Sequence, residues 1–305
     1  MSVGVHEVDP DGPASLNDEL LAWFRPRRRA FPWRRRRDPY AILVSEIMLQ
    51  QTQAPRVAAA FVSFMETFPT VAHLAAAPRS AVVTTWDGLG YNRRAVALSR
   101  AARVIADEHG GRVPKDPASL RRLPGVGPYT ASAVASIAYG VLVPAIDTNV
   151  ARVVSRARLG SEAHESTRAD IAAAAEAWIH ARRPGDWNQA LMDLGREVCR
   201  PEPRCPACPL AAGCTFARVG RRPARSPTRS ATFEGSDRQV RGSVVRLLRT
   251  ARGRSMSVST LAARTGHSEA RVAASVSTLA ADGLVVAGDG ALRGDPSGRV
   301  RLHPG

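Results

Sequence analysis

Two residue types are scarce in this 305-residue sequence. Lysine occurs once, as Lys115, and the four cysteines all lie between Cys199 and Cys214. Cysteines confined to so short a stretch do not form the framework of a secreted disulfide protein and indicate a metal or cluster site. No apolar run is long enough to span a membrane, and residues 1–14 lack a basic head followed by an apolar core. We therefore expect a disordered N-terminus over 1–14 and a soluble cytoplasmic protein.

Acidic residues are also few relative to basic ones. The sequence has 43 Lys and Arg against 27 Asp and Glu, which gives a net charge of +16. This surplus favours a polyanionic partner, and the planar guanidinium group suits phosphate. An arginine-rich codon bias would explain arginine in place of lysine, but not the excess over acids. The charge therefore predicts binding to nucleic acid.

Apolar periodicity predicts helices through most of residues 15–216, with almost no strand-like alternation, so the expected class is all-α. Ser15 and the Asp38-Pro39 pair are predicted helix starts. Residues 217–236 are rich in Arg, Pro, Ser and Thr and are predicted to be a linker. Residues 237–305 contain three helical stretches and a glycine-rich tail, which predicts a winged helix-turn-helix-like domain. The alternative is a small helical module that packs on the body of the protein.

The cysteines follow one another with gaps of five, two and five residues: Cys199, Cys205, Cys208 and Cys214. Four thiolates on one short loop can close around a single metal centre. The spacing leaves zinc and an iron–sulfur cluster both open. A structural role is favoured over a redox role.

Two carboxylates have surroundings that suit chemistry. Glu46 stands in an apolar stretch, 42–49, where burial would raise its pKa and let it act as a general acid; a solvated helix face is the alternative. Asp147 precedes a predicted helix, and N-capping alone would explain it. The field of a helix start would also keep Asp147 ionised. A protonated and a charged carboxyl together suit cleavage of a glycosidic bond.

A turn with two glycines, Gly125 and Gly127, separates two predicted helices. Its backbone N–H groups and the N-terminus of the following helix can bind a phosphate without any side chain. An ordinary helix–helix turn is the alternative. The flanking helices and the basic charge make the two interpretations about equally good.

Together these segments resemble the helix-hairpin-helix DNA glycosylases, and most of all the adenine glycosylases of the MutY family. The resemblance covers about residues 15–216. The matching stretches are FPWR at 31–34, SEIMLQQTQ at 45–53, GLGYNRR at 88–94, LPGVGPYTA at 123–131, IDTNVARV at 146–153, NQALMDLG at 188–195 and the cysteine loop. The resemblance implies two lobes: residues 15–39 and 147–216 with a [4Fe–4S] cluster loop, and a six-helix barrel over 40–146.

The resemblance also implies a reaction. The substrate would be double-stranded DNA in which adenine is mispaired with 8-oxoguanine or guanine, and the adenine would be flipped out before its glycosidic bond is hydrolysed. Glu46 would protonate the adenine, and Asp147 would stabilise the oxocarbenium-like sugar with support from Tyr129 and Asn149. The implied substrate-binding residues are Arg34, Leu49, Gln51, Thr52, Leu89, Tyr91, Gly125 and Gly127. The four cysteines would ligate the cluster of a monomeric enzyme, nucleoid-associated in a prokaryote.

The sister family, endonuclease III, shares the hairpin and the cluster but removes oxidised pyrimidines and cuts the strand through a lysine Schiff base. Tyr129 occupies the position of that lysine, and Lys115 lies outside the motif, so the resemblance implies a monofunctional enzyme. A pyrimidine-directed lyase and a non-catalytic DNA-binding protein on the same fold are the alternatives.

Three features depart from the family pattern. The first cysteine gap has five residues where six are usual, and Thr148 replaces a glycine. Residues 237–305 stand where the family has a Nudix-like lobe that reads 8-oxoguanine, which puts strict opposite-base choice in question.

Overall fold

The computed structural model describes residues 15–35, 37–220 and 233–304. The predicted disordered N-terminus and residues 221–232 of the predicted linker lie outside these ranges. The α-helices of the described residues are α1 (Leu16–Arg27), α2 (Pro39–Leu49), α3 (Ala54–Thr67), α4 (Val71–Ala76), α5 (Arg79–Thr85), α6 (Arg93–Glu108), α7 (Pro117–Arg121), α8 (Pro128–Tyr139), α9 (Thr148–Val154), α10 (Arg168–Trp178), α11 (Pro184–Glu197), α12 (Thr215–Arg218), α13 (Asp237–Thr250), α14 (Val258–Thr265), α15 (Glu269–Ala281) and α16 (Asp289–Leu292). The strands are β1 (Ser255–Ser257), β2 (Val285–Ala287) and β3 (Arg299–Leu302). The predominance of helix confirms the predicted class.

Local sequence explains where several helices begin. The Ser15 side chain accepts a hydrogen bond from the Asp18 backbone N–H, and Asp38 caps α2 with Pro39 at its first position. Asp147 likewise caps α9. Each cap occupies a backbone N–H that the first turn of a helix leaves without an intrahelical partner. These three helix starts confirm the sequence-based expectations.

The chain divides into two compact units. One contains the described residues 15–30 and 128–220, and the other contains 31–127 and 233–304. The family motifs place residues 128–146 with the barrel, whereas in the structure α8 packs on α11 in the first unit. Gly185 permits this approach, because a Cβ at that position would lie 2.8 Å from the Ser136 carbonyl oxygen.

The first unit has a core formed by α1, α9, α10 and α11. Its large buried side chains include Leu20, Phe24, Val153, Ile171, Trp187 and Leu191. Trp178 and Trp187 pack edge to face with ring centroids 5.7 Å apart. The indole N–H of Trp187 donates to Asn17 Oδ1 at 2.9 Å, so its one polar atom is also satisfied.

The second unit is built around α2, in which every residue from Tyr40 to Met48 is buried. Helices α3 and α6 pack against it. Phe64 of α3 packs edge to face on Trp86, which follows α5, with centroids 5.9 Å apart. Because α2 is packed on all sides, it has no solvent-exposed face. The side chain of Glu46 must therefore lie in the interior of the unit.

The C-terminal module, residues 233–304, runs helix, strand, two helices, strand, a short helix and a final strand, in the order α13, β1, α14, α15, β2, α16 and β3. Strand β3 pairs antiparallel with both β1 and β2, with Val300 opposite Met256 and Arg301 opposite Val286. Apart from the short helix α16, this is the element order of a winged helix. The module has its own apolar core, with buried side chains that include Val244, Leu261, Val276, Leu284 and Leu302.

No helix among the described residues combines the length and apolar character needed to cross a bilayer.

Candidate active site and cysteine loop

Glu46 lies in the interior of the second unit. Its side chain is 6% exposed, on a helix whose neighbouring residues Ser45 and Ile47 are both fully buried. The solvated-face alternative is therefore wrong. Removal from water favours the neutral form of a carboxyl group, which is the form that a general acid needs.

Asp147 is half-buried at the start of α9, where three donors hold its carboxylate. Oδ1 accepts from the backbone N–H of Asn149 at 2.9 Å and of Val150 at 2.7 Å, and Oδ2 accepts from Asn149 Nδ2 at 3.0 Å. The capping interpretation is correct, but it does not exclude chemistry. Capping and the Asn149 side chain together fix the direction in which the carboxylate is presented.

Arg152, one turn into α9, connects this carboxylate segment to the cysteine loop. Its guanidinium donates to Asn149 Oδ1 at 2.9 Å, to the Gly195 carbonyl at 2.7 Å and to the Cys199 carbonyl at 2.7 Å. Gly195 must be a glycine for this packing, since a Cβ there would lie 2.7 Å from the Asn149 Cβ. Asn149, which orients Asp147, therefore depends in turn on Arg152 and on the Gly195 carbonyl of α11.

The segment just before Asp147 is anchored by Asn188 of α11, which is fully buried. Its Oδ1 accepts from the Ala145 backbone N–H at 2.7 Å, and its Nδ2 donates to Ser136 Oγ and to the Val143 carbonyl, each at 3.0 Å. The NQALMDLG motif is thereby explained, because its first and last residues position the two sides of Asp147. Asn188 and Gly195 stand out in the sequence only as members of that motif, and their residue types do not predict these roles.

Tyr129 stands in the first turn of α8, in the same unit as Asp147 and Asn149. It is half-buried, and its hydroxyl donates to the Met192 sulfur at 3.5 Å. Glu46 belongs to the other unit, together with the predicted substrate-binding residues: Arg34, Leu49, Gln51, Thr52, Leu89, Tyr91, Gly125 and Gly127.

Arg94 of α6 organises the second unit's part of the site, a role that the sequence does not predict although Arg94 ends the GLGYNRR motif. Its side chain is 6% exposed. The guanidinium donates, over distances of 2.5 to 3.1 Å, to the carbonyls of Ile47, Met48, Gln50, Leu89 and Gly90 and to the Thr52 hydroxyl. Burial lowers the pKa of Arg94 to about 10, so it stays charged at neutral pH. One cation thus joins two motif segments, 47–52 and 89–90.

Two of the predicted DNA-contacting residues have strained backbones. Gln51 and Tyr91 adopt φ values of +58° and +46°, in the left-handed region that side chains other than glycine rarely occupy. Such strain is concentrated at functional sites. Gln51 is exposed and Tyr91 half-exposed, whereas Leu89 is only 3% exposed. Leu49 and Thr52 are half-buried, and Arg34 lies 5.6 Å from the Phe31 ring centroid.

The glycine turn contains two different kinds of glycine. Gly125 has φ of +80°, and a Cβ there would lie 2.8 Å from the Ala97 Cβ, so its backbone requires glycine. Its carbonyl accepts from Gln50 Nε2 at 3.2 Å, which joins the turn to the end of α2. Gly127 is exposed, and a Cβ added there would meet no atom within 4 Å, so the turn surface is open to a ligand at this point.

The four cysteines line one small cavity that is partly open to solvent, together with Val198, Pro203 and Phe216. None of them forms a disulfide. Burial raises the pKa of the Cys199 and Cys208 thiols, the latter to about 12. Among the described residues, no three His, Cys, Asp or Glu side chains converge as ligands of a single metal ion.

Arg156 closes the cavity from a π-helical turn, Ser155–Leu159, that continues α9. Its Nη1 lies 3.7 Å from Cys199 Sγ and donates to the Arg200 carbonyl at 2.6 Å. Its charge is balanced by buried Glu162 at 2.8 Å. A cation fixed beside these sulfurs suits a site that carries thiolates.

Comparison with known proteins identifies the family to which this chain is similar. Residues 44–180 match the family described as HhH-GPD superfamily base excision DNA repair protein. The chain is 42% identical over 254 residues to an adenine DNA glycosylase of Mycobacterium tuberculosis, covering 80% of this chain and 82% of that one. It is also 42% identical over 212 residues to an adenine DNA glycosylase of Homo sapiens, covering 66% of this chain and 39% of that one.

This chain belongs to the MutY family of helix-hairpin-helix DNA glycosylases. Solved structures support the fold of a MutY-family body. A thermostable thymine-DNA glycosylase matches with a TM-score of 0.62 and 31% identity, over 67% of this chain and 95% of that one. Endonuclease III in a trapped covalent intermediate with DNA matches with a TM-score of 0.57 and 25% identity, over 68% of this chain and 96% of that one.

The role of Arg94 predicts a large difference between two adjacent arginines. Replacement of Arg94 by Met leaves at least five carbonyls without their donor, so we expect the free energy of unfolding to fall by about 3 kcal/mol or more. Arg93→Met, at the exposed neighbouring position, should change it by no more than about 0.5 kcal/mol. Urea unfolding of the two variants measures both values, and equal effects would contradict the role given to Arg94.

Proposed function

We propose that this MutY-family chain hydrolyses the N-glycosidic bond of adenine mispaired with 8-oxoguanine or guanine in duplex DNA, without forming a Schiff base. The observation that carries the proposal is the contrast between two carboxyl groups. Glu46 is enclosed in α2, whereas Asp147 is presented at a helix start by three donors. In an adenine glycosylase family, this contrast matches the division of labour that N-glycoside cleavage requires.

The reaction divides between these two groups. The target adenosine leaves the base stack, and Glu46 donates its proton to the adenine ring, which makes the base a neutral leaving group as the C1′–N9 bond breaks. The Asp147 carboxylate stabilises the positive charge that develops on the sugar, and Asn149 and Arg152 keep that carboxylate in its orientation. Water then adds to C1′ and gives up one proton, which restores the acid.

In this proposal, residues of the second unit bind the DNA. Gly127 leaves the glycine turn accessible to phosphate, and the strained residues Gln51 and Tyr91 offer an amide and an aromatic ring to bases. A net charge of +16 supplies the sequence-independent attraction.

A Schiff base requires an amine, and the chain offers a single lysine side chain. Lys115 is exposed and precedes α7, outside the glycine turn. The second residue of α8 is Tyr129, whose phenol hydroxyl donates to the Met192 sulfur and cannot form an imine. The proposed enzyme therefore releases adenine and leaves the strand intact.

The residue types of the cysteine loop support the cluster that the family resemblance implies, although the sulfurs do not converge on a single point in this structure. Its four sulfur donors line one cavity beside Arg156, and soft thiolate ligands select iron–sulfur clusters or zinc. Cysteines bind a metal centre as thiolates, so the binding of a cluster would deprotonate these thiols. We propose that Cys199, Cys205, Cys208 and Cys214 hold a [4Fe–4S] cluster, which would supply a structural cross-link between α11 and α12.

The reaction is tested by incubating the chain with duplexes that contain A:8-oxoguanine, A:G, A:C or T:G. We expect alkali-dependent strand breaks at adenine opposite 8-oxoguanine or guanine, and no protein–DNA adduct after borohydride reduction. Absence of these breaks would overturn the proposal. Cleavage at thymine, the base named for one structural neighbour, or a trapped adduct would identify the wrong substrate or the wrong mechanism.

Glu46→Gln removes the proton donor and keeps the size of the side chain. Excision should fall by about 10²–10⁴-fold, the usual range for a general acid, while DNA affinity stays within about twofold. Single-turnover excision and fluorescence anisotropy measure the two quantities. Glu66→Gln, on the exposed part of α3, is the matched control and should leave both unchanged. Equal losses of affinity and excision in Glu46→Gln would indicate a structural role for Glu46.

Asp147→Asn separates capping from catalysis, because asparagine caps helices as well as aspartate does. We expect the melting temperature to stay nearly constant while excision falls by about 10²–10³-fold, since the developing charge on the sugar loses its counter-charge. Asp116→Asn makes the same change at the cap of α7 and should leave excision intact. Retained activity in Asp147→Asn would show that Asp147 caps α9 and has no catalytic role.

Metal analysis tests the cysteine loop. The purified chain should contain about four iron atoms and four acid-labile sulfides per molecule, and chelation of the iron should lower its melting temperature. Stoichiometric zinc without sulfide would contradict the cluster proposal and favour the zinc alternative.

A further inference from the structure

The C-terminal module contacts the loop that contains Tyr91. We define the Tyr91 loop as residues 87–92, between α5 and α6. Helix α13 of the module carries Arg238 and Arg249, which are eleven residues apart and therefore on nearly the same face, about 16 Å from each other along the helix. Both side chains reach the Tyr91 loop.

Arg249 holds the two ends of the loop. Its side chain is 8% exposed; Nη1 pairs with Asp87 Oδ1, and Nη2 donates to Asn92 Oδ1 at 3.0 Å. Asn92 is also the residue that begins α6. Burial lowers the pKa of the Arg249 guanidinium, and the charge of Asp87 opposes this effect. A buried cation held by both ends of a six-residue loop restricts the conformations open to the residues between them.

Arg238 contacts the aromatic ring at the end of the loop. Its Nη1 donates to the Tyr91 hydroxyl at 2.6 Å, and its guanidinium lies 5.5 Å from the Tyr91 ring centroid and 5.1 Å from that of Phe233. Arg94 lies 5.5 Å from the same Tyr91 ring. The left-handed conformation at Tyr91 is thus surrounded by contacts that stabilise it, which is how a strained residue persists in a folded protein.

A second contact sets the orientation of the module. Arg79 of α5 donates to the Gly283 carbonyl at 3.2 Å, and Ser80 Oγ donates to the Pro304 carbonyl at 3.5 Å. The approach at Gly283 is close, since a Cβ there would lie 3.2 Å from the guanidinium nitrogens of Arg79 and Arg100. Two separate contacts fix how α13 meets the loop.

The helix that a winged helix would place in a DNA groove is poorly equipped to read bases. Helix α15 has one basic residue, Arg271, which donates to Asp237 Oδ1 at 3.1 Å and to the Gly235 carbonyl. The exposed positions that remain on α15 carry small side chains: Ala270, Ala274, Ser277, Thr278 and Ala281. Base edges in the major groove are read by Arg, Lys, Asn and Gln. Packing on the body, rather than reading of DNA, is therefore the interpretation that the contacts favour.

We propose that the C-terminal module is a positioning element for opposite-base recognition: Arg238 and Arg249 hold the Tyr91 loop in the conformation that distinguishes 8-oxoguanine from other bases opposite the adenine. The inference rests on the proposed function, in which the Tyr91 ring contacts a base of the duplex, and adds that this base is the one opposite the adenine. Arg238 and Arg249 act through Tyr91 and are positioning residues.

The test uses the full-length chain with Arg238→Met, Arg249→Met and a control, Arg246→Met. Arg246 is exposed on the same helix, so the control loses the same charge. Single-turnover excision from A:8-oxoguanine should fall about tenfold in the first two variants, as expected for the loss of a hydrogen bond from a charged donor. Excision from A:C should change little, so the ratio of the two rates shrinks. The control should keep the wild-type ratio.

Two further variants separate positioning from general stability. Arg238→Lys retains a donor for the Tyr91 hydroxyl and should restore part of the discrimination. In a Tyr91→Phe background, Arg238→Met should have a smaller effect, because the hydroxyl that it contacts is already absent. A full additional loss in that background would overturn the assignment of Tyr91 as the residue through which Arg238 acts.

Hydrogen exchange over residues 87–92, measured without DNA, provides a readout that does not depend on catalysis. Exchange should be faster in Arg238→Met and Arg249→Met than in Arg246→Met. Unchanged exchange over residues 87–92 would overturn the inference. Faster exchange with an unaltered ratio of the excision rates from A:8-oxoguanine and A:C would also overturn it. A wild-type chain that removes no adenine would instead overturn the proposed function, while the exchange result would still show whether the module orders the loop.

Discussion

The second unit depends on one buried cation. Arg94 lies beneath two chain segments whose carbonyls turn inward, and its guanidinium is the donor that both segments share. A flexible ammonium group could not serve as many acceptors, because arginine presents five N–H groups in a planar fork. The left-handed residues Gln51 and Tyr91 belong to, or directly adjoin, these two segments. The strained part of the site is therefore supported by an interaction inside the fold.

The first unit repeats this use of arginine. Arg152 and Arg156 are four residues apart on the helical segment that follows Asp147, and both donate to backbone carbonyls of the cysteine loop, at Cys199 and Arg200. Asp147 and the loop are thus held by the same piece of helix. This arrangement gives the cysteine loop a structural link to the carboxylate, consistent with the expectation that its role is structural. Arginine side chains therefore stabilise the fold by donating to backbone carbonyls, in addition to supplying the positive charge that favours a polyanion.

The C-terminal module shows that charge alone does not say which arginines are available to a polyanion. Sixteen of the arginines lie after residue 217, and this concentration favours contact with DNA. In the structure, three of the arginines in the module are paired with carboxylates: Arg249 with Asp87, Arg241 with Asp282 and Arg271 with Asp237. Exposure and pairing, which composition does not report, decide whether a basic residue is available to phosphate.

The positions of the helix starts, the cysteine loop and the glycine turn follow from the sequence alone, because capping, ligand spacing and positive φ are properties of a few adjacent residues. Asp147 illustrates this, since its cap is readable from IDTN and is present in the structure. The burial of the Glu46 side chain cannot be inferred in this way, because an apolar helix has the same periodicity whether one face or both are covered. The packing of α3 and α6 against α2 decides that Glu46 is buried. The partners of Arg94 and Arg238 were equally out of reach, because hydrogen bonds between residues 40 or 150 positions apart exist only once the chain has folded. The sequence by itself determined which chemical groups are present and where the local turns and caps form; the tertiary structure decided which groups lose their water and which meet, since burial and long-range contact depend on the whole fold.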